Sequence, residues 1–263
     1  MEHNYIEVNK NLWNKKVAHH VESAFYDVPG FLAGKSSLKA IELDLLGDIK
    51  GKSLLHLQCH FGQDTISLAR MGASTTGVDF SDAAIEKATE LARQTNADAQ
   101  FICTDIYQLP EVLDKQYDIV FTSYGTIGWL PDMDKWAGVV SRFLKPGGKF
   151  IIVDFHPVVW MFDNEFSHIQ YPYFNQEAII ETLSGTYADR DAPIQESEVG
   201  WNHPLTEILS ALLSKGLNLK HFGEYDYSPY NCFSKMEEFE AGKFRISHLE
   251  NKIPMVYSIV MSK

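Results

Sequence analysis

The chain has 263 residues, 45% hydrophobic and 13% aromatic, which is enough apolar material for a sizeable core and too much for a disordered chain. Its formal net charge is -12 and no run of lysines or arginines offsets it, so the surface repels polyanions and nucleic acid is not an expected partner. No apolar stretch is long enough to span a bilayer, and three cysteines (Cys59, Cys103 and Cys232) without a secretory signal point to reduced thiols and a cytoplasmic address.

Along the chain, Leu12, Trp13, Val17, His20, Val21 and Ala24 recur at helical spacing and predict an amphipathic helix over 9–26, ended by Pro29-Gly30. A second helix is expected over 37–46, leading through Gly47 and Gly51 into the strand Leu54-Leu55-His56-Leu57. That strand runs into Gln58-Cys59-His60-Phe61-Gly62. An amphipathic stretch follows, then the strand Thr75-Thr76-Gly77-Val78-Asp79. A buried parallel strand that ends in a tight loop leaves the N–H groups of the next helix at its edge, and the following strand delivers an acid to the same edge. Asp79 lies 17 positions after Gly62, close to the roughly 20 residues that separate a glycine loop from a ribose-binding acid. A nucleoside cofactor is the expected ligand. Side chains at Gln58 and His60 would crowd a diphosphate, so a cofactor without one, S-adenosylmethionine, fits better than a dinucleotide. On the plainer reading, Gly62 merely opens a helix and Asp79 caps the one beginning at Ser81-Asp82.

Two further strands arrive in order. Asp98 to Cys103 is followed by Asp105-Ile106, and the buried run Tyr117 to Ser123 ends in Tyr124-Gly125. After another helix, Leu144-Lys145-Pro146-Gly147-Gly148 suits a type II turn and leads to the apolar run Phe150 to Val153.

These landmarks, from Lys52 to Phe155, resemble the class I S-adenosylmethionine-dependent methyltransferases. The resemblance implies an α/β, Rossmann-like, seven-stranded doubly wound sheet with an antiparallel last strand, in one domain. Residues 1–50 would form a helical lid, 51–155 the cofactor-binding core, 156–203 an acceptor-covering insertion after the fifth strand, and 204–263 the part that closes the sheet. It implies cofactor contacts from Gln58, His60 and Gly62, and ribose binding by Asp79. Phe80 would lie against the adenine, Asp105 near its amino group with Ile106 beside the ring, and Ser123 and Tyr124 under the methionine part. The sequence departs from the pattern where glycines are usual, at Gln58 and His60, and where an acid usually precedes the loop, at His56. Trp13, His19, His20, Phe25 and Tyr26 are candidates for the lid lining, or simply cover the sheet.

Between His156 and Trp201 the chain is rich in aromatics, with added antiparallel strands expected near 176–186. Aromatic faces stabilise a methyl sulfonium, although such residues also pack insertions to cores. A helix over 206–215 and two strands, 217–225 and 255–261, paired as a hairpin, complete the sheet.

Methyl transfer is an in-line displacement in which the protein supplies alignment, water exclusion and, for an acidic acceptor, a base. His156 after the fifth strand, His203 before the next helix and Tyr124 at the fourth strand's end are candidate bases, each with a hydrogen-bonded structural role as its competitor. His56, Cys59 and His60 lack the further ligands of a zinc site, and of the carboxylates that could hold magnesium only Asp154 is present, so no metal is expected. The expected function is methyl transfer to a small-molecule acceptor. A nicotinamide-dependent oxidoreductase and a non-catalytic cofactor-binding homologue are the alternatives. Composition leaves the acceptor and the oligomeric state open.

Overall fold

A computed structural model describes residues 4–263. In chain order the elements are α1 (Tyr5–Glu22), α2 (Val28–Leu32), α3 (Ala40–Leu46), β1 (Ser53–Leu57), α4 (Gln63–Arg70), β2 (Ser74–Asp79), α5 (Asp82–Thr95), β3 (Ala99–Cys103), α6 (Leu109–Val112), β4 (Tyr117–Ser123), α7 (Met133–Phe143), β5 (Leu144–Phe155), β6 (Ile179–Ser184), β7 (Gln195–Gly200), α8 (Leu205–Ser214), β8 (Asn218–Tyr225), β9 (Met236–Glu240), β10 (Lys243–Ile246) and β11 (Val256–Ser262).

Seven strands form one sheet in the order β3-β2-β1-β4-β5-β11-β8. The first five are mutually parallel, and β11 runs antiparallel between β5 and β8. Because side chains alternate across a strand, the apolar runs of β1, β4 and β5 serve two cores at once. Leu55, Leu57, Val120 and Ile152 pack with Trp136 of α7 and Leu212 of α8. Leu54, Phe121, Ile151 and Val153 pack with Ile41 of α3 and Leu68 of α4. A doubly wound sheet with an antiparallel last strand is therefore present, as the segment order implied.

Three local expectations are corrected. Pro29-Gly30 does not end a helix but opens one: proline is tolerated in a first helical turn, and the Asp27 carboxylate caps α2 by accepting from Gly30 N at 3.1 Å. The leading helix instead stops at Glu22, where Ser23 turns extended. The last two strands of the sheet are neighbours but not a hairpin, because the β9–β10 ribbon lies between them in sequence.

The insertion after β5 carries a two-stranded antiparallel ribbon, β6 with β7. Asn9 of α1, 1% exposed, grips β7 as a neighbouring strand would, with Nδ2 donating to Val199 O at 2.8 Å and Oδ1 accepting from Val199 N at 2.9 Å. These two hydrogen bonds join the leading helix to the insertion, and residues of both line one chamber.

Candidate active site

The carboxyl ends of β1, β2 and β4 open into a cavity of about 690 Å³, within the usual range of small-molecule sites. The helical segment roofs it with Leu12, Trp13, Lys16 and Tyr26, and the ribbon adds Glu181, Tyr187 and Glu198. Of the residues singled out in the sequence, Gln58, His60, Gly62, Asp79, Phe80, Ser123, Tyr124 and His203 line this space.

The loop after β1 keeps a glycine backbone without the glycines. Gln58, His60 and Gly62 have φ of 55°, 50° and 81°, all left-handed, and for a non-glycine residue that conformation costs about 1–2 kcal/mol. The side chains offset this cost. Gln58 Nε2 donates to Thr126 O at 2.8 Å, and the rings of His60 and His20 share a 2.9 Å hydrogen bond. Burial holds both imidazoles neutral, His60 lowered to about 3 and His20 to about 2, so one donates and the other accepts. Trp13 packs edge-on against His60 and Trp129, with centroids at 5.1 and 5.4 Å. Gly62 has no alternative, since an added Cβ would sit 2.7 Å from the Phe101 ring and 2.8 Å from Ala88.

Asp79 is 8% exposed, and its two oxygens accept from His60 N at 2.8 Å and Ser81 N at 2.9 Å. Burial outweighs these donors and raises the carboxyl to about 6. A carboxylate has about four lone-pair sites, so the remaining ones can take a diol. The cap on α5 comes from Ser81 Oγ, which accepts from Ala84 N at 3.1 Å, so the purely capping reading of Asp79 does not apply.

The second acid of the sequence reading is placed differently. Asp105 and Ile106 do not line the cavity: Asp105 Oδ1 accepts from Tyr107 N at 2.6 Å, tightening its own turn, and Ile106 is buried in the core shared with α7. His156 is also turned away. Its Nε2 meets Glu224 Oε1 at 3.0 Å and its Nδ1 accepts from Val158 N at 3.2 Å, so it pins the β5 exit to β8. His203 reaches the cavity wall with both nitrogens engaged, Nε2 on Leu130 O at 2.7 Å and Nδ1 on Glu207 at 3.0 Å, leaving no lone pair for a substrate proton. Asp154 is likewise committed, accepting from Gly125 N, from Thr126 N at 3.2 Å and Thr126 Oγ1 at 2.9 Å, and from Phe155 N at 2.7 Å. It therefore shapes the loop after β4.

Tyr124 alone of the three candidate bases keeps a suitable geometry. Its ring lines the cavity beside Tyr230, with centroids 5.0 Å apart, and its hydroxyl donates to Glu42 Oε2 at 2.7 Å. Burial, helped by nearby Asp64, raises Glu42 to about 7. Sequence reasoning missed Glu42, because a glutamate in the first turn of an amphipathic helix reads as solvated. It also missed Lys16, which sits over the Trp13 and Trp129 rings at 5.0 and 5.6 Å and pairs with Glu198 at 3.5 Å. Among the described residues, no group of three or more His, Cys, Asp or Glu side chains is arranged to hold a metal, and no helix is long and apolar enough to cross a membrane.

Comparison with known proteins agrees with this geometry. A family profile described as a methyltransferase domain matches residues 54–148. The chain is 32% identical over 136 residues to an uncharacterized methyltransferase of Synechocystis, covering 50% of this chain and 60% of that one. It is 33% identical over 124 residues to the ubiquinone biosynthesis O-methyltransferase of Coxiella burnetii, covering 46% and 50% respectively. The chain thus spans about half the length of the curated relatives it matches. Among solved structures, geranyl diphosphate C-methyltransferase from Streptomyces coelicolor superposes with a TM-score of 0.61 at 16% identity, covering 100% of this chain and 99% of that one. An S-adenosylmethionine dependent methyltransferase from Mesorhizobium loti gives 0.57 at 18% identity, covering 88% and 100%. Residues 54–148 match the methyltransferase-domain profile, and the chain has the fold of the solved S-adenosylmethionine-dependent methyltransferases.

Proposed function

We propose that this protein transfers a methyl group from S-adenosylmethionine to a small-molecule acceptor held in the chamber between the helical lid and the β6–β7 ribbon. The observation that carries the reading is Asp79, a buried carboxylate with lone pairs to spare beside a loop whose Gln58, His60 and Gly62 all keep the left-handed backbone of a glycine loop. Two buried acceptors without protein partners, His56 Nε2 and Gln58 Oε1, belong to residues lining the same space, as expected of a site that awaits a polar ligand. Gln58, His60 and Gly62 would frame the cofactor, Asp79 its ribose, Phe80 its base, and Ser123 and Tyr124 its other end.

When bound, the cofactor supplies a methyl group on a cationic sulfur. The chain's own contribution is alignment and exclusion of water by Trp13, Tyr26 and Tyr187, whose faces also favour positive charge. Tyr124 is the residue proposed to take a proton from an acidic acceptor on its hydroxyl oxygen while passing its own hydroxyl proton to the Glu42 carboxylate, to which it already donates. A nicotinamide cofactor suits the site less well, since the Gln58 and His60 side chains stand where a diphosphate needs bare backbone. The cysteines are all unpaired, which supports a reducing, cytoplasmic setting.

Incubation with methyl-tritiated S-adenosylmethionine and a small-molecule cell extract should move label into an extract component and form S-adenosylhomocysteine. No binding of S-adenosylhomocysteine at millimolar concentration, or saturable binding of NADH instead, would overturn the reading.

A further inference from the structure

One carboxylate of the chamber, Glu181, takes no part in the chemistry described so far. The register of the β6–β7 ribbon sets it directly opposite Glu198, and both side chains line the cavity. Val199, the next residue, is buried in the grip of Asn9, so strand alternation turns Glu198 toward the chamber. Like charges facing each other across an antiparallel pair are destabilising. Lys16 of α1, 7% exposed, relieves one of the two. Its Nζ lies 3.5 Å from Glu198 Oε2, and 5.0 and 5.6 Å from the centroids of the Trp13 and Trp129 rings. Glu181 accepts a 2.7 Å hydrogen bond from the Tyr171 hydroxyl, and among the described residues no lysine, arginine or histidine pairs with it. Tyr171 feels both acids: burial, then Glu181 and Glu198, push its hydroxyl up to about 12.

One wall of the chamber thus combines an ion pair, two ring faces and a second carboxylate. It already holds one ammonium, that of Lys16, between a carboxylate and aromatic faces, an arrangement that favours cations. A second ammonium is missing. A carboxylate or phosphate on the ligand would add a third negative charge where one is already in excess, and a neutral group would leave the excess in place. A cation removes it, and a buried charge is stable only when paired. The net charge of -12 acts in the same sense by drawing cations to the surface.

We propose that Glu181 is a specificity-determining residue that seats a protonated amine of the methyl acceptor. The proposal rests on the reading of this chamber as the acceptor site. The ammonium is the handle by which the acceptor is held, donating to the carboxylate lone pairs that Tyr171 leaves free. No bond to it forms or breaks. The atom that takes the methyl group is the acidic one facing Tyr124. The acceptor class is therefore a small molecule with an acidic group at one end and an amine at the other. Lys16 holds Glu198 in place, and its own charge limits the wall to one bound cation.

The test is calorimetry on the full chain loaded with S-adenosylhomocysteine, using three probes of one shape: 2-phenylethylammonium, 2-phenylethanol and 3-phenylpropionate. The ammonium should bind at least about tenfold more tightly than either of the others. Glu181→Gln keeps an acceptor for Tyr171 and removes the charge. It should weaken the ammonium by about 10- to 100-fold and move phenylethanol by less than about twofold. Lys16→Met removes the competing cation and should tighten the ammonium by about threefold or more. Side chains with a purely structural role would shift all three probes together, so the opposite signs of the two variants are specific to the seat.

Equal binding of the three probes, no binding of the ammonium, or a Glu181→Gln chain that holds the ammonium as tightly as the parent overturns the seat and leaves the cofactor reading standing. Failure of S-adenosylhomocysteine to bind overturns the cofactor reading itself. The probe series is then read on the free chain, where the same outcomes decide the seat. The comparison of probes on the parent chain needs no variant to fold, so the seat is tested even if Lys16→Met is unstable.

Discussion

The buried carboxyl of Asp79 makes cofactor affinity a function of pH. Its ordinary value of 3.8 is raised to about 6 by burial, against backbone donors from Ser81, His60 and Phe80. The folded chain therefore holds this proton more tightly than the unfolded chain does. The stability it contributes is complete below about pH 4 and is lost as pH rises through about 6, amounting to about 3 kcal/mol. A ribose diol brings two O–H donors and needs the ionised form, so binding and deprotonation are linked. At about pH 5 roughly one molecule in eleven is ionised, and at about pH 7.5 nearly all are, so the dissociation constant should rise about tenfold on acidification, or about 1.4 kcal/mol. The assay is calorimetric titration of S-adenosylhomocysteine across that range in buffers of differing ionisation enthalpy, which also reads the released proton. Glu42, raised to about 7, titrates in the same window. Asp79→Asn isolates the contribution of Asp79: the variant should bind more weakly at neutral pH and lose the steep limb near 6. An affinity independent of pH in the parent, or an unchanged limb in the variant, would refute the reasoning.

Three other perturbations read different parts of the structure. Gly62→Ala places a Cβ against Phe101 and Ala88 at a left-handed φ and should cost about 2–5 kcal/mol in urea unfolding; an unchanged midpoint would mean the loop has another shape. His156→Gln should leave S-adenosylhomocysteine affinity within about twofold, because the ring faces Glu224 rather than the cavity; a tenfold loss would return His156 to the site. Asp154→Asn sets an amide among backbone donors and should cost about 1–3 kcal/mol, with faster hydrogen exchange at Gly125, Thr126 and Ile127 as the specific signature.

The sheet was legible because its evidence is local. Leu54 to Leu57, Tyr117 to Ser123 and Phe150 to Val153 are apolar runs bounded by loop residues, and a strand buried on both faces leaves that trace. The placement of Gly62 and Asp79 at the cavity was legible for a similar reason, each closing a local strand pattern at the sheet's carboxyl edge. What sequence could not supply were partners far apart in the chain. Glu42 gains its role only where the β4 loop brings the Tyr124 hydroxyl to it, 82 positions away. His156 after β5 and His203 before α8 have the right residue type, but Glu224 and Leu130 claim their nitrogens, and no local pattern reveals a claim of that kind. Strand β7, Gln-Glu-Ser-Glu-Val-Gly, lacks apolar alternation because Glu198 on its inner face lines the chamber, where it pairs with Lys16. Asp105 lies outside the cavity lining, with Oδ1 on the Tyr107 N–H of its own turn, a placement no local pattern reveals.

The most direct test is a crystal structure with S-adenosylhomocysteine bound. The account requires both ribose hydroxyls on the Asp79 carboxylate and the thioether beside Tyr124. A nucleoside lying elsewhere, with Asp79 still bonded only to the backbone of His60 and Ser81, would contradict it.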